Sequence, residues 1–233
     1  MRFGVDEAGK GPVLGSMFAA AVVAEPQGLP ADVDDSKAVP ADRRPGLAAE
    51  IRAAAAAVAV SEVPVDRIDD PESDMNSLTV AAQADALDAV AGGGSEDVAM
   101  AGQDDGCTIP DPLAGTVDAG DTDAERFGRR VADRVEAAVD LTAKHAADET
   151  DPLVGAASVV AKQAREDHVA DLAAEYGSVG SGYPSDPATR EFLRGYVERE
   201  GGLPACARAS WQTSTDVVAA VEQTGLEGFG GRE

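Results

Sequence analysis

Two apolar runs near the start of the chain are separated by a cluster of special residues. "RFGVDEA" is apolar until it meets two adjacent acids, and "VLGSMFAAAVVA" resumes after a Gly-Lys-Gly-Pro turn. Both runs read as strands. "ADRRPGLAAEIRAAAA" reads as a helix, and "VAVSEVPV" as a third strand rich in β-branched residues. In "NSLTVAAQADALDAVA", Leu78, Ala81, Ala82, Leu87 and Val90 fall at helical spacing, and a run of glycines ends the pattern. "LAGTVDAGD" predicts a strand ending at Asp118, and Thr122 and Glu125 have capping-box spacing before a helix over "AERFGRRVADRVEAAV". "DLTAKHA" gives another short strand. A long helix runs from Leu153 to about Tyr176, apolar at first and amphipathic later. Asp186 and Pro187 are an N-cap and first-turn pair for "ATREFLRGYVERE". A last helix is predicted from Ser214 to Glu222.

Strands alternating with helices, followed by a helical C-terminal third, predict an α/β domain. Residues 1–222 read as one domain, because no linker demands a second core. Within it, "GGGSEDVAMAGQDDGCTIPDP" (92–112) is expected as a surface insertion, and 223–233 as a flexible Gly-rich tail.

Charge changes the picture of the surface more than that of the fold. The 233 residues carry 43 Asp+Glu against 19 Lys+Arg, a net charge of −24, yet 44% are hydrophobic. That apolar content separates the chain from acidic disorder. Lys10, Lys37, Lys144 and Lys162 are the only lysines. A densely carboxylated surface suits molar salt, where the Debye length is about 3 Å and self-repulsion is screened. The composition therefore reads as that of a halophile's cytosolic protein. Cys107 and Cys206 stand far apart without zinc-ligand spacing, so two free thiols are expected. No basic-then-apolar leader is evident, and "AAAAAVAVSEV" is too short to span a bilayer.

Candidate chemistry sits where acids end apolar segments: Asp6 and Glu7, Asp118, and Asp148 in "KHAADETDP". Spacing does not show that they converge, and any one acid in such a chain reads first as solvated surface charge. Brought together, they would raise one another's pKa values, and hard divalent cations such as Mg²⁺ or Mn²⁺ would relieve the repulsion. On the long helix, Ser158, Lys162 and Arg165 form a polar stripe at i, i+4, i+7. Alone, that stripe reads as ordinary helix surface. Beside an acidic metal site it suits a phosphodiester backbone.

"DEAGKGPVLG", "DSK" (Asp35, Ser36, Lys37), "VDAGDTDAERFG", "KHAADETDPLVGAASVVAK" and "GSGYPSDPATREFL" occur in an order that resembles ribonuclease HII. The ending "PACARASWQT" is similar to the archaeal branch, and the resemblance covers about residues 1–215. It implies the ribonuclease H-like fold, a central mixed sheet flanked by helices. It also implies that Asp6, Glu7, Asp118 and Asp148 hold two divalent ions, Mg²⁺ or Mn²⁺. The substrates implied are RNA–DNA hybrids and duplex DNA with an embedded ribonucleotide, cut on its 5′ side to leave 3′-hydroxyl and 5′-phosphate ends. Gly9, Lys10 and Gly11 match the turn that senses the 2′-hydroxyl, with lysine where most relatives have arginine. Tyr183 matches a tyrosine packing on the adjoining deoxyribose, and Lys37, Ser158 and Lys162 are expected to contact substrate. Asp104 or Asp105 is a weaker candidate ligand; His145 is expected to be structural and His168 to lie on the surface.

In the tail, Gln223, Leu226 and Phe229 have the spacing of a sliding-clamp-binding peptide, with Gly230 in place of the second aromatic. A cytoplasmic monomer without membrane contact is expected. Two other readings compete: another nuclease of the same fold, and an acidic scaffold for basic partners. The glycine-bracketed lysine and Tyr183 argue against the first, and the ordered motifs against the second.

Overall fold

Strand β1 (Arg2–Ala8) is buried from Phe3 to Asp6, which requires cover on both faces and places it inside a sheet. A computed structural model describes residues 1–35, 39–92, 99–100 and 109–229. Strands β2 (Met17–Ala24), β3 (Ala57–Val63), β4 (Ala99–Met100), β5 (Leu113–Asp118) and β6 (Val139–Lys144) complete a six-stranded sheet ordered β4-β3-β2-β1-β5-β6. β1 pairs parallel with β5 and β5 with β6, while β1–β2, β2–β3 and β3–β4 are antiparallel. The sheet is thus mixed, as the sequence resemblance implies. β2 is buried at every position, whereas edge strand β6 has no fully buried residue.

Helices α1 (Arg44–Ala54), α3 (Met75–Ala91), α4 (Ala124–Ala132), α5 (Pro152–Tyr176), α6 (Pro187–Glu200) and α7 (Gln212–Phe229) follow the predicted order, and the short helix α2 (Val65–Ile68) is one that the sequence pattern does not predict. Side chains alternate across a strand, so β2 divides its residues between two layers. Ala20, Val22 and Ala24 join Leu47, Ala48 and Ile51 of α1 and Leu153, Ala156, Ala157 and Val160 of α5 in one core. Met17 belongs to the opposite face, where the Thr79 hydroxyl of α3 approaches its sulfur at 3.8 Å. α5 starts directly on β1: a Cβ at Gly4 would stand 2.2 Å from the Leu153 carbonyl carbon.

The chain gathers into two compact units, although no linker announces them. The first comprises residues 1–10, 17–63 and 74–165; the second comprises 11–16, 64–73 and 166–233. The expected single core over 1–222 therefore divides. A linker search misses this because the second unit is assembled from three separated segments. Its core contains Val13, Leu14, Leu172, Val179, Leu193, Cys206 and Ala207. Tyr176, Phe192 and Tyr196 add an aromatic cluster there, with ring centroids 6.0–6.1 Å apart. Cys206 is a buried free thiol whose pKa burial raises to about 11, and Cys107 lies outside the described residues.

Local differences from the sequence reading have local causes. Asp123, not Thr122, caps α4 by accepting from the Arg126 N–H, and the helix stops at Ala132. The insertion contributes an edge strand, β4, paired to β3; its other residues from 93 to 108 lie outside the described set. Residues 223–229, expected as flexible tail, continue α7. Among the described residues, no helix is long and apolar enough to cross a membrane.

Candidate active site

Adjacent positions on a strand face opposite ways, so Asp6 and Glu7 leave the end of β1 toward different layers. Asp6 shares the α5 face with Gly4. Its carboxylate accepts the Glu7 N–H at 2.7 Å and lies 6% exposed. Ser158 of α5 stands near enough to favour the charged form of Asp6, yet its buried hydroxyl has no hydrogen bond of ordinary geometry among the described residues. Burial raises the Asp6 pKa well above the ordinary aspartate value, and the charges of Glu7 and Asp118 raise it further.

Glu7 faces α3, where Gln83 donates from Nε2 to Glu7 Oε2 at 2.6 Å and to the Asp118 carbonyl at 3.0 Å. Burial raises the Glu7 pKa to about 7; Lys10 and Gln83 pull it down, and Asp118 pushes it up. Lys10 donates to the Gly120 carbonyl at 2.6 Å. A Cβ at 120 would press on both side chains, at 3.0 Å from Glu7 Oε1 and 3.2 Å from Lys10 Nζ, so a larger residue there would displace them.

Asp118 ends β5, and its Oδ1 accepts the Ala147 N–H at 2.6 Å. A short 3-10 turn, Ala147–Glu149, thereby brings Asp148 next to the residue that holds Asp118. Asp148 is itself buried, and it lines a separate cavity of about 190 Å³ with Glu149, Thr150, Asp151 and Pro152. Glu7 and Asp118 instead line a cleft of about 520 Å³ with Asn76, Ala119, Gly120, Asp121, Thr122 and His145.

Among the described residues, no three acidic, histidine or cysteine side chains are gathered closely enough to hold an ion as they stand. The donor chemistry nevertheless fits a hard divalent cation. Asp6, Glu7 and Asp118 offer only oxygen ligands, and two of the three carry pKa values raised by burial and by their neighbours' charge.

The turn at 9–11 begins with Gly9 at φ 98°, a conformation that favours glycine. Gly11 adjoins Tyr183, whose Cε1 would lie 3.8 Å from a Cβ at position 11. At 40% exposure, Tyr183 is the one exposed large hydrophobic residue among those described. Lys162 is half-buried one turn beyond Ser158. His168 is not simple surface, since its Nε2 accepts the Ser16 N–H at 3.2 Å. Lys37, Asp104 and Asp105 lie outside the described residues, as do the side chains of Leu226 and Phe229; Gln223 is exposed on α7.

Sequence reasoning missed Gln83 and the place of Asn76 and His145 in the cleft. Gln83 had a visible signal, being an uncharged polar residue within an alanine-rich apolar helix. Its burial implies a partner in need of its amide.

The family model for ribonuclease HII matches residues 3–214. The chain belongs to the ribonuclease HII family. Over 229 residues it is 62% identical to the ribonuclease HII of Haloarcula marismortui, a halophilic archaeon, covering 98% of this chain and 100% of that one. The ribonuclease H2 structure from Pyrococcus horikoshii OT3 superposes with a TM-score of 0.78 at 28% identity, covering 95% and 98% of the two chains. The ribonuclease HII in the PCNA complex from Archaeoglobus fulgidus gives 0.76 at 32% identity, covering 91% and 95%. The fold is therefore ribonuclease H-like. Ribonuclease HII membership makes the chain a type 2 ribonuclease H, an endoribonuclease acting on RNA–DNA hybrids.

Proposed function

We propose that the chain cuts hybrids and also nicks duplex DNA on the 5′ side of a single embedded ribonucleotide, leaving 3′-hydroxyl and 5′-phosphate ends. One observation carries this reading: burial raises the pKa values of Asp6 and Glu7 where β1 ends, and the charge of Asp118, at the end of β5, raises both further. Such an arrangement is costly unless a cation relieves it. Asp6, Glu7, Asp118 and Asp148 are the residues that would hold two divalent ions, Mg²⁺ or Mn²⁺. When bound, those ions supply an activated water and charge stabilisation at the leaving 3′ oxygen.

The protein's own groups prepare that chemistry. Gln83 fixes the Glu7 carboxylate and the Asp118 backbone together, and the Ala147 N–H fixes the Asp118 carboxylate. Lys10 supplies positive charge beside Glu7. Gly9, Lys10 and Gly11 present backbone to the ribose, whose 2′-hydroxyl separates RNA from DNA. Tyr183 offers an exposed ring to the neighbouring sugar, with Lys37, Ser158 and Lys162 as further substrate contacts.

The deciding experiment incubates a duplex holding one ribonucleotide with Mg²⁺ or Mn²⁺, beside an all-DNA control. Nicking 5′ of the ribonucleotide is expected; intact duplex from folded protein overturns the reading. Activity should also persist above 1 M KCl, because phosphate attraction through counterion release is nearly lost there for any protein. An activity confined to dilute buffer contradicts that expectation.

We further propose that the chain acts as a monomer in the cytoplasm and that Gln223, Leu226 and Phe229 engage a sliding clamp. The solved complex of the Archaeoglobus fulgidus relative with PCNA supports the clamp as partner. Clamp pull-down should retain the full chain and lose one stopped after Thr224; equal retention removes the tail from the interaction.

A further inference from the structure

Segment 11–16 forms neither helix nor strand beyond a single bridge, Leu14 to Ala207, yet it is densely tied within its own unit. Val13 N–H and Leu14 N–H donate to the Gly182 carbonyl at 2.8 and 3.2 Å, and Gly15 N–H donates to that of Cys206 at 2.8 Å. Arg208 answers from the other side: its N–H donates to the Val13 carbonyl at 2.9 Å and its Nε to the Gly15 carbonyl at 2.9 Å. At the exposed end of the segment, the Trp211 indole Nε1 donates to the Gly11 carbonyl at 3.3 Å.

Residues 206–214 thus act as a bracket, and the bracket is itself braced. Arg208 is completely buried, with its guanidinium carbon 4.8 Å from the centre of the Trp211 ring. The buried Ser214 hydroxyl donates to the Arg208 carbonyl at 2.7 Å. Asp69 accepts the Ala209 and Ser210 N–H groups at 2.7 and 3.0 Å. Burying a guanidinium is costly unless its donors are met, and here Nε meets a loop carbonyl. Gly182, which receives Val13 and Leu14, directly precedes Tyr183. The same segment therefore ties together Gly11, Tyr183 and the 206–214 bracket.

We infer that Trp211 is a positioning residue for ribonucleotide recognition: its indole N–H holds the Gly11 carbonyl, and with it the end of the Gly9-Lys10-Gly11 turn, at the height where a lone ribose is sensed. The inference rests on the proposed role of that turn in feeling the 2′-hydroxyl. Its consequence is specific to substrate. A continuous hybrid offers a ribose in every register, so a slightly displaced turn still finds one. A single embedded ribonucleotide offers only one register.

The test is Trp211→Phe, which keeps a ring beside Arg208 and removes only the donor. On duplex DNA with one ribonucleotide, kcat/KM should fall about tenfold, the worth of one hydrogen bond, and mainly in kcat. Cleavage of a continuous hybrid should change by less than about threefold, and Trp211→His, which restores a ring N–H, should recover part of the loss. Ser214→Ala, which loosens the bracket without touching Trp211, should shift the same ratio in the same direction and stands in if Trp211→Phe melts below the assay temperature. An unchanged ratio between the two substrates in folded variants overturns the inference alone. A wild-type chain that cuts hybrid but never the single ribonucleotide overturns the reading of the turn, and the inference with it.

Discussion

Two sets of carboxylates in this molecule have opposite fates. Asp6 and Glu7, in the sheet-bearing unit, are pushed toward protonation by burial and by neighbouring charge, that of Glu7 and Asp118 on Asp6 and that of Asp118 on Glu7. Asp186, in the helical unit, is pulled to about 2 by the Ser181 N–H, the Ser181 side chain and the Ala188 N–H, with smaller help from Thr189. Asp186 is an N-cap, and the charge it carries completes a helix end that would otherwise lack partners. Asp6 and Glu7 accept from the Glu7 N–H and the Gln83 amide, but these donors do not offset the cost of burial and both pKa values stay raised. At Asp186 the donors outweigh burial, whereas at Asp6 and Glu7 burial outweighs the donors they meet. In a protein of net charge −24, that contrast separates chemistry from solvation better than counting acids does.

The largest effect should come from removing a member of the repelling set. Asp6→Asn is expected to reduce hybrid cleavage by about 10²–10³-fold, the scale of losing one preorganised electrostatic group. Its thermal midpoint should be no lower than wild type, since the substitution removes a buried charge. A large fall in melting temperature would place Asp6 with Asp186 and break the comparison. Next comes Gln83→Leu, which deletes the donor shared by Glu7 and Asp118. A loss of about 10–100-fold in kcat is expected, as for groups that orient metal ligands, and near-normal activity would show that Glu7 needs no such tether.

For Asp186 the sign reverses. Its pKa is lowered on folding, so its stabilisation is present above the ordinary aspartate value of 3.8 and is lost as pH falls toward about 2. Melts of wild type and Asp186→Ala should differ at neutral pH and converge at the acidic end of that window. A constant gap down to pH 2 would contradict the assignment. The smallest effect is expected from Lys10→Arg. Lys10 makes a partly solvated contact beside Glu7, so hybrid cleavage should move by no more than about fivefold, the scale of an exposed charge pair. A larger change would move the proposed sensing of the ribose from the backbone of the turn to the Lys10 side chain.

Much of this was legible in the order of residues. The strand that ends at Asp6 and Glu7, the strand that ends at Asp118, the long helix carrying Ser158, and the cap at Asp186 all follow from local pattern. Local rules succeed there because burial alternates with the strand period and the cap chemistry is contained in a few neighbouring residues. They misplaced the cap of α4 by one residue because Thr122 and Asp123 can both accept at that position, and only the backbone geometry chooses between them. Gln83 was passed over because its partners lie 76 residues away at Glu7 and 35 away at Asp118.

The amino-acid sequence by itself determined the order of the main strands and helices, though not α2 or β4, together with the acidic surface and the family, since propensity, periodicity and ordered motifs are properties of neighbours along the chain. Tertiary structure alone decided that Asp6 and Glu7 turn to different layers, and that the Ala147 N–H, next to Asp148, meets the Asp118 carboxylate. It alone decided that a loop at 11–16 is built into the same core as residues 166–217. The reason is physical. Burial, charge repulsion and hydrogen bonding depend on distance in space, and only folding brings residues far apart in the chain to within a few ångströms of one another.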